Sequence, residues 1–253
     1  MSAAARFLLV WDFDWSLIDE NSDTYVIERL DQAGLTWQAA QTLMANGKMG
    51  WTELMDWCLG KLHEAGNGPD AIANALKTAP IKSGALAAVS TAHAAGVEQR
   101  ILSDANTVYI QTILNEHDLA GAFSQVVTNP ATYDAAGRLR VRPHQSAGHA
   151  HGCPLCPPNL CKGAVLTQWI NEVDPVRCVY VGDGGGDYCP AARLRAGDLV
   201  LARRPPHDSL LKRCCKEPVA ATVLEWGGAS DEDGTDLLTS ITQAFAPTQT
   251  DAA

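Results

Sequence analysis

Asp12-Phe13-Asp14 sets two carboxylates two residues apart, directly after the apolar run Phe7-Leu-Leu-Val-Trp11. Carboxylates this close repel each other, and a cation is the natural means of keeping both ionised. A second acidic pair, Asp183 and Asp187, sits in Gly182-Asp-Gly-Gly-Gly-Asp187, where glycines let the backbone approach a ligand. Between the pairs, Ser103 ends the run Gln99-Arg-Ile-Leu-Ser103 and Lys162 opens the amphipathic stretch to Val173. A hydroxyl beside the first free amides of a helix makes an anion pocket. A lysine at a helix start is opposed by the dipole and needs a counter-charge, such as a phosphate or the aspartates. Taken singly, each has a plainer reading: solvated acids, an N-cap at Ser103 or Asp104, an exposed lysine, a glycine turn.

Such groups act together only if a scaffold gathers them. The runs at 7–14, 99–103, 177–182 and 198–202 read as buried strands, and Asn106–Glu116 and Lys162–Val173 as helices between them. Strands alternating with helices predict an α/β fold, a Rossmann-like parallel sheet covered on both faces, with ligands at the carboxyl ends of the strands. Residues 20–95 interrupt that rhythm. Helices are expected at Ser22–Gln32 (Ser22 as its cap), Trp37–Met44, Trp51–His63, Pro69–Lys77 and Ser83–His93, making a helical insert. The core is thus assigned to 1–19 and 96–228, the insert to 20–95, and an acidic, solvated tail to 229–253, disordered over its last ten residues. Within the core, Val126–Val141 predicts a hairpin turning at Asp134–Gly137, followed by a Cys/His loop to residue 161.

Composition narrows the function classes. At about 150 residues per domain, 253 residues make between one and two domains. Nineteen basic against 29 acidic residues leave a net charge of -10, which argues against nucleic acid, whose backbone is bound by clustered Lys and Arg. A small phosphorylated metabolite is not excluded, because it needs only a few local donors and a metal. No segment approaches the roughly 20 apolar residues of a membrane span, and no secretory signal is visible. The expectation is a cytoplasmic protein with no membrane partner; its oligomeric state is not readable.

The ordered set Asp12-Phe-Asp-Trp-Ser16, Ser103, Lys162 and Gly182-Asp-Gly-Gly-Gly-Asp187 resembles the four motifs of the haloacid dehalogenase superfamily of aspartate-nucleophile phosphatases. Asp12–Asp23, Leu102–Asn106, Thr128–Ala131 with Gly137–Leu139, Cys153–Lys162 and Val181–Pro190 look like the phosphoethanolamine/phosphocholine phosphatase family. Departures are Ser16 in place of the usual Thr, Trp15 in place of a polar residue, and Gly186 in place of Asn. The resemblance implies Asp12 as nucleophile and Asp14 as general acid and base. It implies Mg²⁺ held by Asp12, Asp14 through its backbone carbonyl and Asp183, with Asp187 acting directly or through water, and phosphate held by Ser103 and Lys162. The insert becomes a helical cap, with Asp23 and Asp104 suited to a cationic leaving group. Phosphoethanolamine or phosphocholine is the expected substrate, with pyridoxal 5′-phosphate, thiamine phosphate or pyrophosphate as alternatives. A phosphotransferase or mutase would use the same fold. A non-catalytic zinc-loop interaction protein is a reading of another class, opposed by the intact Asp12, Asp14, Lys162 and Asp183.

That last reading rests on His149, His151, Cys153, Cys156 and Cys161, whose spacing is compact enough for tetrahedral zinc. The preferred expectation is a rigid loop positioning Lys162, with zinc or a redox pair Cys153/Cys156 as alternatives. Trp37, Trp51 and Trp57 are read as cap core rather than as an aromatic cage.

Overall fold

The computed structural model describes residues 6–47, 49–145 and 151–245. The run Phe7–Trp11 is strand β1, and its side chains alternate between two apolar clusters: Leu9 and Trp11 face one, Leu8 and Val10 the other. All four are fully buried, which is why a central strand reads as continuously apolar. Five more strands run parallel to it: β2 (Glu98–Asn106), β3 (Gln125–Asn129), β6 (Arg177–Gly182), β7 (Leu199–Arg203) and β8 (Thr222–Trp226), in the order β3-β2-β1-β6-β7-β8. The chain leaves β1 toward β2 on one side and later returns to β6 on the other. The β1/β6 border is therefore a topological switch point, where α/β sheets bind ligands.

Helices cover both faces. On one side lie α5 (Ser83–Ala94), α6 (Thr107–Glu116) and α10 (Thr235–Ala244); on the other lie α7 (Lys162–Val173), α8 (Tyr188–Ala191) and α9 (Ser209–Lys216). The insert contributes α1 (Ser22–Leu30), α2 (Leu35–Ala45), α3 (Trp51–Glu64) and α4 (Pro69–Leu76). Asn21, not Ser22, caps α1, its side chain accepting from the Thr24 amide at 3.0 Å.

Several expectations need correction. Pro130 splits the 126–141 region: residues 125–129 join the main sheet as β3, and only β4 (Ala131–Tyr133) and β5 (Leu139–Val141) form the hairpin. The fifth predicted helix, counted with the insert, packs as α5 against β2 and α10. The tail is not merely solvated, because Leu237, Ile241 and Ala244 recur at helical spacing on α10 and enter the same cluster as Ala85, Ala88, Val89 and Ala92 of α5. Residues 246–253, most of the stretch expected to be disordered, lie outside the described residues. Among the described residues no helix is long and apolar enough to cross a membrane.

The hairpin ties the core to the insert through one carboxylate. Asp56 of α3 accepts from Arg138 at 3.0 Å, from Arg140 Nε and Nη2 at 3.1 Å each, and from the Val141 amide at 2.9 Å. Asp56→Ala should cost about 2 kcal/mol of stability in urea unfolding, because charged hydrogen bonds and a strand amide lose their acceptor together. Hydrogen exchange in α3 and the hairpin should rise, while α7 stays unchanged.

Candidate active site

Three neighbouring strands deliver their carboxyl ends to one place. β1 presents Asp12, whose amide still bonds to the Val181 carbonyl of β6 at 2.9 Å. β2 presents Ser103 and runs on to Asn106, whose side chain caps α6 by accepting from the Tyr109 amide at 3.1 Å. The capping role proposed for Ser103 or Asp104 therefore belongs to Asn106. Ser103 instead faces the cavity, its Oγ accepting from the Ala105 amide at 3.1 Å. β6 presents Asp183 and then Asp187.

Lys162, at the first turn of α7, lies between these strand ends and is 3% exposed. Its Nζ donates to Asp12 Oδ1 at 3.0 Å and to Asp187 Oδ1 at 2.8 Å, with Asp104 Oδ2 at 3.8 Å. Burial alone would pull the ammonium pKa down; Asp12 and then Asp187 outweigh it and hold Lys162 charged. The counter-charge that a lysine in this position requires is thus supplied by both acidic motifs. The plain reading of Lys162 as an exposed side chain is excluded.

Asp187 is held from four directions. Oδ1 takes Lys162 and the Tyr180 hydroxyl (2.7 Å); Oδ2 takes the amides of Asp183 (3.1 Å) and Gly184 (3.0 Å). Four donors use about all the lone pairs a carboxylate offers. Gly182 makes this possible: a Cβ there would come within 2.7 Å of Asp187 Oδ2.

Burial and then Asp187 push the Asp12 pKa well above its ordinary value, against the pull of Lys162. Burial and then Asp187 likewise raise Asp183 to about 8. Oxygens of Asp12, Asp183 and Asp187 lie within 4.8 Å of one another, with one lysine to balance three carboxylates. The carboxylate oxygens of Asp12 and Asp183, with the negative charge of Asp187 beside them, fit a divalent hard cation. Asp14, half-buried, accepts the Ser22 amide at 3.0 Å, and burial raises it to about 6.

The site opens into a cavity of about 190 Å³ that also touches Asp23, Trp51 and Asp104. Asp23, in the first turn of α1, is buried; its Oδ2 accepts from Trp51 Nε1 at 2.8 Å, and burial followed by Asp14 raises it to about 7. Asp104 is fixed by Asn159, which donates to its Oδ1 at 2.8 Å. All eight residues singled out as site candidates (Asp12, Asp14, Asp23, Ser103, Asp104, Lys162, Asp183 and Asp187) line this cavity.

Some contributors were missed in the sequence. Trp51 was assigned to the cap core, yet it is 37% exposed and lines the cavity, with Trp37 edge-on at 6.2 Å. Tyr180 and Asn159 carried no signal, because a tyrosine within an apolar strand and an asparagine in a proline loop both read as structural. In the Cys/His loop, His149 lies outside the described residues. Both nitrogens of His151 are engaged: Nδ1 accepts from the Cys153 amide at 3.0 Å, and Nε2 meets the Pro157 carbonyl at 2.9 Å. The alternative zinc set therefore lacks His151 as a ligand.

The model of a family described as "Putative Phosphatase" matches residues 7–241. A "Thiamine phosphate phosphatase-like protein" of Arabidopsis thaliana is 37% identical over 235 residues, 90% of this chain and 93% of that protein. A "Phosphoethanolamine/phosphocholine phosphatase" of Homo sapiens is 34% identical over 241 residues, 90% of this chain and 87% of that protein. Among solved structures, a haloacid dehalogenase family hydrolase of Salmonella enterica serovar Typhi superposes with a TM-score of 0.61 at 14% identity, covering 94% of this chain and 71% of the other.

Proposed function

Because the chain belongs to the "Putative Phosphatase" family, on the haloacid dehalogenase fold, and is a phosphomonoester hydrolase, we propose that it cleaves small phosphoesters with cationic leaving groups, through a phosphorylated Asp12. The observation that carries the reading is the buried lysine joining Asp12 to Asp187 at the sheet's switch point, with a second, readily protonated aspartate beside the cavity. Lys162 orients one oxygen of Asp12. The carboxylate attacks phosphorus, forming an O–P bond as the bond to the leaving oxygen breaks. Asp14, raised to about 6, gives its proton to that leaving oxygen. It then takes a proton from water, which attacks phosphorus, releases inorganic phosphate and restores Asp12. Ser103 and Lys162 hold the transferring oxygens as they gather charge. Mg²⁺, held by Asp12, Asp183 and the Asp14 carbonyl, would offset the repulsion between carboxylate and phosphate. Asp187, its oxygens already occupied, serves to fix Lys162.

Asp23 with Trp51, and Asp104 across the cavity, supply an acidic, partly aromatic wall for the leaving group. Carboxylates near an aromatic face suit an ammonium or quaternary amine, and this supports phosphoethanolamine or phosphocholine. Thiamine phosphate is the second reading, favoured by the 37% identity to the plant relative and by its own cationic leaving group.

A panel of phosphoesters assayed with Mg²⁺ tests the proposal. Cationic substrates should exceed neutral ones of similar size in kcat/KM by about tenfold or more, the worth of one partly buried charge pair. Asp23 must be ionised to contribute. Since its pKa is raised to about 7, the preference should grow as pH rises through 7 and fade below it. Asp23→Asn should flatten that profile for cationic substrates and leave neutral ones alone. Equal turnover of neutral and cationic esters at pH 8 would reject the substrate assignment.

A further inference from the structure

The structure brings together four thiols that the phosphatase chemistry does not use. Cys153, Cys156 and Cys161 come from the loop before α7, and Cys189 from α8, 28 residues further on than Cys161. Their sulfurs all lie within 4.8 Å of one another, and Cys153 Sγ is 3.6 Å from Cys189 Sγ. A tetrahedral zinc with Zn–S bonds near 2.3 Å sets its sulfurs about 3.8 Å apart, so the cluster needs only a small contraction to hold one. Cys161 and Cys189 are buried and the other two partly so, as in a closed site without room for a substrate.

We propose that Cys153, Cys156, Cys161 and Cys189 bind one structural zinc ion. Four Zn–S bonds form as four S–H protons leave to solvent, and the complex carries two negative charges. Gly163 leaves the space required: a Cβ there would lie 2.5 Å from Cys189 Sγ. The ligand set differs from the one suggested by spacing alone. His151 spends both ring nitrogens on its own loop, and the fourth ligand arrives from the far side of α7.

The site has a mechanical consequence. Cys161 immediately precedes Lys162, and Cys189 follows Asp187 by two residues. A metal joining them clamps the start of α7 to α8, and so fixes the spacing of the Lys162–Asp187 pair. Its role is positioning, and the zinc assignment stands or falls independently of the phosphatase reading.

The test is metal analysis of the full chain, purified after expression with zinc in the medium. About one zinc per chain is expected, as is the intense visible absorption of tetrahedral thiolate coordination after cobalt exchange. Cys189→Ser and Cys153→Ser should each lose the metal. Cys215→Ser, at an exposed cysteine outside the cluster, should retain it and so serves as the control. Chelation of zinc in excess Mg²⁺ should lower the melting temperature. Wild-type protein that is folded and free of zinc would overturn the proposal. So would an intact mass showing a disulfide among the four cysteines, or iron with inorganic sulfide in the cluster.

Discussion

Asp12→Asn is expected to reduce phosphate release from every substrate by at least about 10⁴-fold, because the amide cannot form the covalent intermediate. The fold should survive intact. Asn keeps an oxygen to accept from Lys162 at the position where Asp12 Oδ1 accepts at 3.0 Å, and it removes a carboxylate that burial and Asp187 already oppose. In magnesium-free buffer the variant should therefore melt at or above the wild-type temperature. A paired assay of turnover and thermal unfolding checks both halves. Activity within tenfold of wild type would exclude Asp12 as the nucleophile, whatever the stability.

Lys162→Met should damage both properties. Removing the ammonium leaves Asp12 and Asp187 buried beside each other without their shared cation. Breaking a buried pair in this way costs about 3–5 kcal/mol. Loss of a donor to the transferring phosphoryl oxygens should lower kcat by about 10²–10³-fold. Added Mg²⁺ should restore part of the stability by neutralising Asp12 and Asp183, but not the rate. Urea unfolding with and without MgCl₂, alongside kcat, separates the two effects. A variant as stable as wild type in magnesium-free buffer would show that Lys162 does not neutralise these carboxylates.

Most of the candidate site was legible in the sequence because its residues sit at strand ends, where an apolar run stops at a charged or hydroxyl side chain. Asp12, Ser103 and Asp183 carry that signature, Lys162 instead opens the amphipathic stretch of α7, and the structure brings all four to one cavity. The five helices between β1 and β2 were also visible, since their apolar positions recur at helical spacing between glycine turns. The edge strands were harder to see. β3 begins with exposed Gln125 and Val126, and β8 exposes Thr222, Leu224 and Glu225, so neither shows a buried run. α10 was hidden by acidic and Thr-rich composition, although Leu237, Ile241 and Ala244 carried its periodicity.

Partners distant in sequence account for the remainder. Nothing local indicates that Trp51 reaches Asp23 across 28 positions, or that Tyr180 braces Asp187. The cysteine cluster is the sharpest case. Spacing singled out the loop as metal-like but offered His151, whose ring nitrogens are spent on its own loop, while Cys189 is recruited by the packing of α7 against α8. Positive charge shows the same dependence on packing. In a chain with a net charge of -10, one buried lysine decides how three aspartates share the site.

Acid-quenched turnover of a ³²P-labelled phosphoester in Mg²⁺ tests the central claim most directly, with borohydride reduction of the trapped protein and peptide mapping. The label should be carried by the protein, be released by hydroxylamine, and leave a reduced side chain, homoserine, at position 12. An enzyme that turns over the substrate but carries no acyl phosphate, or carries it at another residue, would contradict the assignment of Asp12.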